Sequence, residues 1–189
     1  MASEKWLSRG ETVFLKGQPA LHVYKVENGC VRTYIKLKDG RRLTTGFYFP
    51  GDYFGLEMRA THNVSGEAIS PSMVLVVGRK ALSSRAAADN ALAKQILQIT
   101  NVELQRTRAH SMLLRQSAHE RVANFLLEMK RRNRSREVDL VMSRQDIADY
   151  LNLTIETVSR AFTSLEKSSA ISFLTSRRVA VHIRKPLAA

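Results

Sequence analysis

Cysteine is almost missing from this chain of 189 residues: Cys30 is the only one. A single thiol excludes an intrachain disulfide and excludes a cysteine cluster that could hold zinc or an iron–sulfur centre. Long apolar runs are missing as well. None approaches the roughly 18–20 residues of a membrane-spanning helix, and the first residues lack the apolar stretch of a secretion signal, so no membrane partner and a cytoplasmic location are expected. Acidic residues are scarce against basic ones, 17 to 30, for a net charge of +13. That balance suits a polyanionic partner such as nucleic acid. No Ser/His/Asp set, metal-ligand spacing or phosphate-binding loop stands out, so no enzyme, metal or cofactor is expected.

Glycine and proline are unevenly spread, and their absence after Gly78 until Pro186 divides the chain in two. Before that point, runs rich in Val, Tyr, Phe and Ile at 12–15, 22–26, 31–36, 43–49 and 73–77 are separated by Gly17, Asn28-Gly29, Asp39-Gly40 and Pro50-Gly51-Asp52. These read as strands and turns. Asn-Gly and Asp-Gly tolerate positive φ, so two hairpins are expected. Beyond it, 89–117 reads as one long helix with Leu92, Ile96 and Ile99 at helical spacing. Continued in steps of three and four, the stripe meets Glu103, Arg106, His110 and Leu113 and turns polar. Such a helix either pairs with a second copy or packs on its own domain with the polar part exposed.

After a junction near Ser117, the segment 120–129 places Val122, Phe125, Leu126 and Met129 on one helical face, and 130–136 is a basic run that reads as a solvated loop. Ser143 with Asp146 three residues on is close to a capping box and starts a short helix. Asn152 accepts the left-handed conformation of a tight turn, and Thr154 caps a second helix. Ile147, Leu151, Val158, Phe162 and Leu165 supply the core, while Ile155, Glu156, Ser159 and Arg160 fall on the opposite face. That is a helix-turn-helix with its reading face marked. The runs 170–174 and 179–183 flank Thr175-Ser176-Arg177-Arg178, a hairpin with a basic tip that reads as a wing.

The 153–165 segment, with Gln145-Asp146-Ile147-Ala148 ahead of it, resembles the helix-turn-helix of the CRP/FNR superfamily, most of all its FNR and FixK branch. Gly10-Glu11-Thr12-Val13-Phe14, the Asn28-Gly29 turn, Gly46-Phe47 and Gly51-Asp52-Tyr53-Phe54-Gly55 resemble the glycine-marked strands of cyclic-nucleotide-binding β-rolls. The likeness spans about Arg9 to Ile183. It implies an α+β fold: a sensor-type β-roll over 1–85, a dimerisation helix over 86–117 and a winged helix-turn-helix over 118–189. The implied partners are double-stranded DNA, a second copy of the chain and RNA polymerase, with activation of transcription as the expected output. The dimer seam would be built from Ile96, Ile99, Glu103, Arg106, His110 and Leu113, and Arg106 would find a carboxylate such as the other copy's Glu103. A two-fold dimer requires half-sites ~34–36 Å apart.

The Glu-x-x-Ser-Arg arrangement of FNR-like proteins is matched by Glu156, Ser159 and Arg160, which implies a palindrome of the TTGAT-N4-ATCAA type. Arg suits guanine O6 and N7, and Glu accepts from cytosine N4. Cyclic-AMP receptors carry Arg where this chain has Ile155 and Gly where it has Ser159, and read a TGTGA half-site. Ser143, Thr154, Thr157, Arg177 and Arg178 would meet the DNA backbone. In the sensor half, Phe54-Gly55-Leu56-Glu57 leads into Asn63-Val64-Ser65-Gly66-Glu67 without the Arg that holds a cyclic phosphate, and Glu67 there would repel an anion. Loss of cyclic-AMP sensing is therefore expected, and loss of iron–sulfur sensing for want of cysteines. The effector ligand is left unknown. A small-molecule or haem ligand in the β-roll is the alternative, although His22, His62, His110 and His119 lack diagnostic spacing. Cys30 is expected as a buried small hydrophobe, with a redox-reactive thiol as the alternative.

Overall fold

A computed structural model describes residues 2–57, 59–133 and 135–183. Arg134 of the basic run and residues 184–189 of the expected last domain lie outside the described residues. The chain forms two compact units, 1–107 and 108–189.

The first unit is built from strands β1 (Ser3–Leu7), β2 (Thr12–Phe14), β3 (His22–Asn28), β4 (Val31–Lys36), β5 (Arg42–Tyr48), β6 (Tyr53–Phe54), β7 (Ser65–Ala68) and β8 (Ser72–Gly78). They make two antiparallel four-stranded sheets, β1-β8-β3-β6 and β2-β7-β4-β5. Val26 and Val74 of one sheet meet Phe14, Val31 and Ala68 of the other in a shared core. Each such apolar side chain contributes about 1.5–3 kcal/mol by burial. The rings of Phe14, Tyr24 and Phe54 stack 5.1–6.0 Å apart at its centre.

Asp39-Gly40 closes the expected β4–β5 hairpin, with Lys36 opposite Arg42. Asn28-Gly29 does not close one. Strand β3 pairs with β8 and β6, while β4 pairs with β5 and β7, so this turn carries the chain from one sheet to the other. The reason is local: the Cys30 N–H is taken by the hydroxyls of Ser70 and Ser72 at 2.9 and 3.0 Å rather than by β3. Gly29, at φ +82°, lies so close to Pro71 and Ser72 that a Cβ would sit 2.3 Å from the Pro71 carbonyl oxygen.

Helix α1 (Arg79–Ala88) follows β8 and is separate from α2 (Asn90–Leu113). Asp89 breaks the run: its backbone is extended, and its carboxylate accepts the N–H groups of Ala91 and Leu92 at 2.9 and 3.1 Å. The expected helix over 89–117 thus starts one residue later and ends four sooner. The division between units falls within α2.

In the second unit Ser117 and Glu120 exchange hydrogen bonds and start α3 (Ala118–Asn133). Strand β9 (Glu137–Asp139), helices α4 (Arg144–Leu151) and α5 (Ile155–Lys167), and strands β10 (Ile171–Phe173) and β11 (Arg178–Val181) complete it. The sheet order is β10-β11-β9. Phe125, Ile147, Leu151, Val158, Phe162, Leu165 and Val179 form the buried centre.

Candidate nucleic-acid interface

Helix α4 begins at a complete capping box: the Ser143 hydroxyl accepts the Asp146 N–H, and the Asp146 carboxylate accepts the Ser143 N–H. It ends at Asn152, at φ 51° and ψ 52°, the left-handed turn that reverses the chain within two residues. Thr154 then caps α5 by accepting the Thr157 N–H at 3.2 Å. Val158, Ala161, Phe162 and Leu165 are buried along α5, which turns Glu156, Ser159 and Arg160 outward with Ile155, itself 38% exposed. The Glu156 carboxyl is held below its usual pKa by its own backbone N–H, the Thr154 hydroxyl and the Arg160 charge. It is thus an acceptor in the first turn of α5, four residues before the donors of Arg160.

The backbone-contact candidates divide. Both the hydroxyl and the N–H of Ser143 donate to Asp146, at 2.7 and 2.8 Å, so its donors are committed to the cap. Thr154 and Thr157 share a 3.0 Å hydroxyl contact. In the β10–β11 wing, Arg178 pairs with Glu137 at 2.7 Å and Asp139 at 3.6 Å on β9, while Arg177 at the tip is exposed and has no carboxylate partner among the described residues. Nothing in the sequence announced Glu137 and Asp139, because only the β9–β11 register, with Asp139 opposite Arg178 and Glu137 opposite Ala180, brings them beside Arg178.

The seam residues engage their own chain. The Tyr48 hydroxyl donates to Glu103 at 2.7 Å, and Arg106 donates to Asp52 at 2.6 Å and lies 3.5 Å from Glu103. His110 stacks on Tyr150, rings 4.1 Å apart, and contacts the Tyr150 carbonyl oxygen at 2.8 Å; Leu113 is buried and Ile96 and Ile99 are half-buried. Arg106 therefore has its carboxylates within one copy. The exposed leucines of α2 are Leu97 and Leu104, two turns apart at 70% and 47% exposure.

In the first unit a cleft of about 470 Å³ is lined by Thr33, Thr45, Tyr48, Glu57, Asn63 and Glu103 among others, with no Lys or Arg among its lining residues. Glu67 is not there. It pairs with Arg32 at 3.1 Å and Arg42 at 3.4 Å across β4 and β5, and the charged residues that line the cleft are Glu57, 3.6 Å from Arg79, and Glu103. His62 is buried, stacked 3.7 Å from Phe14 and 2.6 Å from Glu57; His22 is exposed and His119 half-buried. Cys30 is fully buried. Among the described residues no helix is long and apolar enough to cross a membrane.

Residues 120–189 match the Crp-like helix-turn-helix domain and residues 4–89 the cyclic nucleotide-binding domain. The nitrogen fixation regulation protein FixK of Azorhizobium caulinodans is 43% identical over 187 residues, which cover 95% of this chain and 75% of that protein. The transcriptional activator protein Anr of Pseudomonas protegens is 31% identical over 96% of this chain and 76% of its own length. The structure of FixK2 from Bradyrhizobium japonicum superposes with a TM-score of 0.92 at 41% identity, over 97% of this chain and 94% of that one. A β-roll of the cyclic-nucleotide-binding type, a helix-turn-helix with an outward acceptor–donor face, and relatives at this identity place the chain in the CRP/FNR family, as a FixK-like DNA-binding transcription regulator.

Proposed function

We propose that the protein acts as a homodimer that reads a TTGAT-N4-ATCAA type palindrome and recruits RNA polymerase, as an activator. The observation that carries this reading is the outward placement of Glu156, Ser159 and Arg160 on one capped face of α5. Arg160 reads the guanine of TTG through O6 and N7, Glu156 accepts from a cytosine N4, and Ser159 favours the thymine-rich start. Residues 1–85 serve as the sensor-type domain, 86–117 as the dimerisation helix and 118–189 as the DNA-binding domain. The dimer seam runs along α2, where Leu97 and Leu104, exposed and two turns apart, are apolar side chains that a second copy would cover.

Cyclic-AMP sensing is lost in this reading, because the cleft carries Glu57 and Glu103 and no cation for a phosphate. Cys30, a single buried thiol, cannot by itself build an iron–sulfur cluster. A second reading, a neutral ligand in the cleft, is favoured by the same lining, whose carboxylates are paired, Glu57 with Arg79 at 3.6 Å and Glu103 with Arg106 at 3.5 Å. Selection of bound duplexes from a random DNA pool tests the function. Enrichment of a TTGAT inverted repeat is expected; an enriched pool without two-fold symmetry, or no enrichment, contradicts it.

A further inference from the structure

The last carbonyls of a helix have no partner within it. At the end of α4 they are held by side chains of two other helices: His110 Nε2 on α2 donates to the Tyr150 carbonyl oxygen at 2.8 Å, and the Arg121 guanidinium on α3 reaches those of Leu151 and Asn152 at 3.0 and 3.5 Å. A carbonyl only accepts, so Nε2 carries the proton. The His110 ring also lies flat on the Tyr150 ring, centres 4.1 Å apart and planes 8° from parallel. Tyr150 is 7% exposed, with the buried Phe125 ring of α3 5.9 Å away. One hydrogen bond leaves a helix free to swivel about the bond; a stacked ring on the same residue removes that freedom. This clasp joins the last turns of α2, which belong to the second unit, to the helix-turn-helix. Only Leu153 and Thr154 separate Asn152 from α5, so the direction in which α4 ends sets that of the reading face.

We infer that His110 is a positioning residue for palindrome recognition: clasped to Tyr150, it fixes the helix-turn-helix on the end of α2 and thereby sets the spacing of the half-sites that two copies read together. The inference rests on the dimer and palindrome reading above. One base pair more or less between half-sites moves them apart by about 3.4 Å and turns one against the other by about 34°. Two recognition helices free to swivel absorb such a change, whereas two held at their roots do not. His110 touches no base, so it selects spacing and not sequence, unlike Arg160.

The test measures binding of the full chain to TTGAT palindromes with N3, N4 and N5 spacers and to an N4 duplex with one half-site scrambled, with folding checked by thermal melting and self-association by sedimentation. The wild type should favour N4. His110→Ala is expected to shrink that preference about fivefold or more, while affinity for the scrambled duplex and the dimer dissociation constant hold. His110→Phe keeps the stack without the donor and should restore part of the preference. Tyr150→Leu should relax the wild type but add little to His110→Ala. An unchanged N4 preference in folded His110→Ala overturns the inference and leaves the palindrome reading standing. So does a uniform loss on every duplex, the mark of a merely structural role, or a loss that follows weakened self-association. Should the alanine chain not fold, His110→Phe and His110→Gln, neither of which keeps both contacts, decide it: the wild-type preference in both overturns it. A wild type that ranks the three spacers equally, or binds none of the duplexes, overturns the palindrome reading and this inference with it.

Discussion

Arg178 reaches across the wing sheet to Glu137 at 2.7 Å, whereas its neighbour Arg177 projects from the tip with no carboxylate beside it among the described residues. Two adjacent arginines of identical chemistry therefore have different expected roles. Arg177→Ala should weaken binding to all duplexes about equally and lower the salt slope by about one per protomer. Arg178→Ala should leave the slope nearly unchanged and, as an exposed ion pair, cost no more than about 1 kcal/mol of stability. Anisotropy titrations over a range of salt separate the two, and equal slope changes would contradict the assignment.

The partners of Arg106 lead to a different prediction from the one that periodicity suggests. A seam through Arg106 would make Arg106→Leu tighten the dimer. With Arg106 bound to Asp52 at 2.6 Å in its own chain, the change should instead destabilise the first unit, by about 1–3 kcal/mol, and leave self-association alone. Leu97→Glu with Leu104→Glu should dissociate the dimer and weaken palindrome binding. Sedimentation equilibrium reads both, and a double variant that stays dimeric refutes the Leu97–Leu104 face.

Tyr48 gives a test in pH. Burial raises its pKa well above the usual value near 10, and the charge of Glu103, to which it donates, adds to the rise. Folded Tyr48 keeps its proton where the unfolded chain has lost it, so its contribution is present below about pH 10 and is lost as pH rises beyond that. Tyr48→Phe should flatten the alkaline fall in melting temperature while lowering stability near neutrality by about 0.5–1.5 kcal/mol for the lost hydrogen bond. The same alkaline slope in wild type and variant would show that Tyr48 does not titrate late.

The helix-turn-helix was legible because each of its signals is local: Ser143 and Thr154 cap within three residues, Asn152 turns by its own conformation, and the buried positions repeat at helical spacing. The Asp39-Gly40 hairpin was legible for the same reason. Asn28-Gly29 misled because a turn signal says that the chain reverses and not which strands then pair, a choice made here by Ser70 and Ser72. Strands β1 and β7 left no alternating pattern. β7 is Ser-Gly-Glu-Ala, in which Gly66 lies so close to the Phe14 ring that a Cβ would stand 3.1 Å from it. The α2 stripe was visible, but periodicity reports that a face is covered and not whether its own chain or another covers it. Arg178–Glu137 and His110–Tyr150 join residues far apart in sequence, and no spacing rule announces them.

The reading face of α5 is tested most directly by competitive binding to two palindromes, one of TTGAT and one of TGTGA half-sites, with wild type, Arg160→Ala and the Ile155→Arg, Ser159→Gly double variant. All three altered positions are exposed, so melting temperatures should stay close to wild type. Arg160→Ala should cost about 1–3 kcal/mol per half-site and erase preference at the shared guanine. The wild type should prefer the TTGAT palindrome and the double variant the TGTGA palindrome. A wild type that ranks the two equally, or a double variant that keeps the wild-type order, would contradict the placement of Ile155, Glu156, Ser159 and Arg160 on the bases.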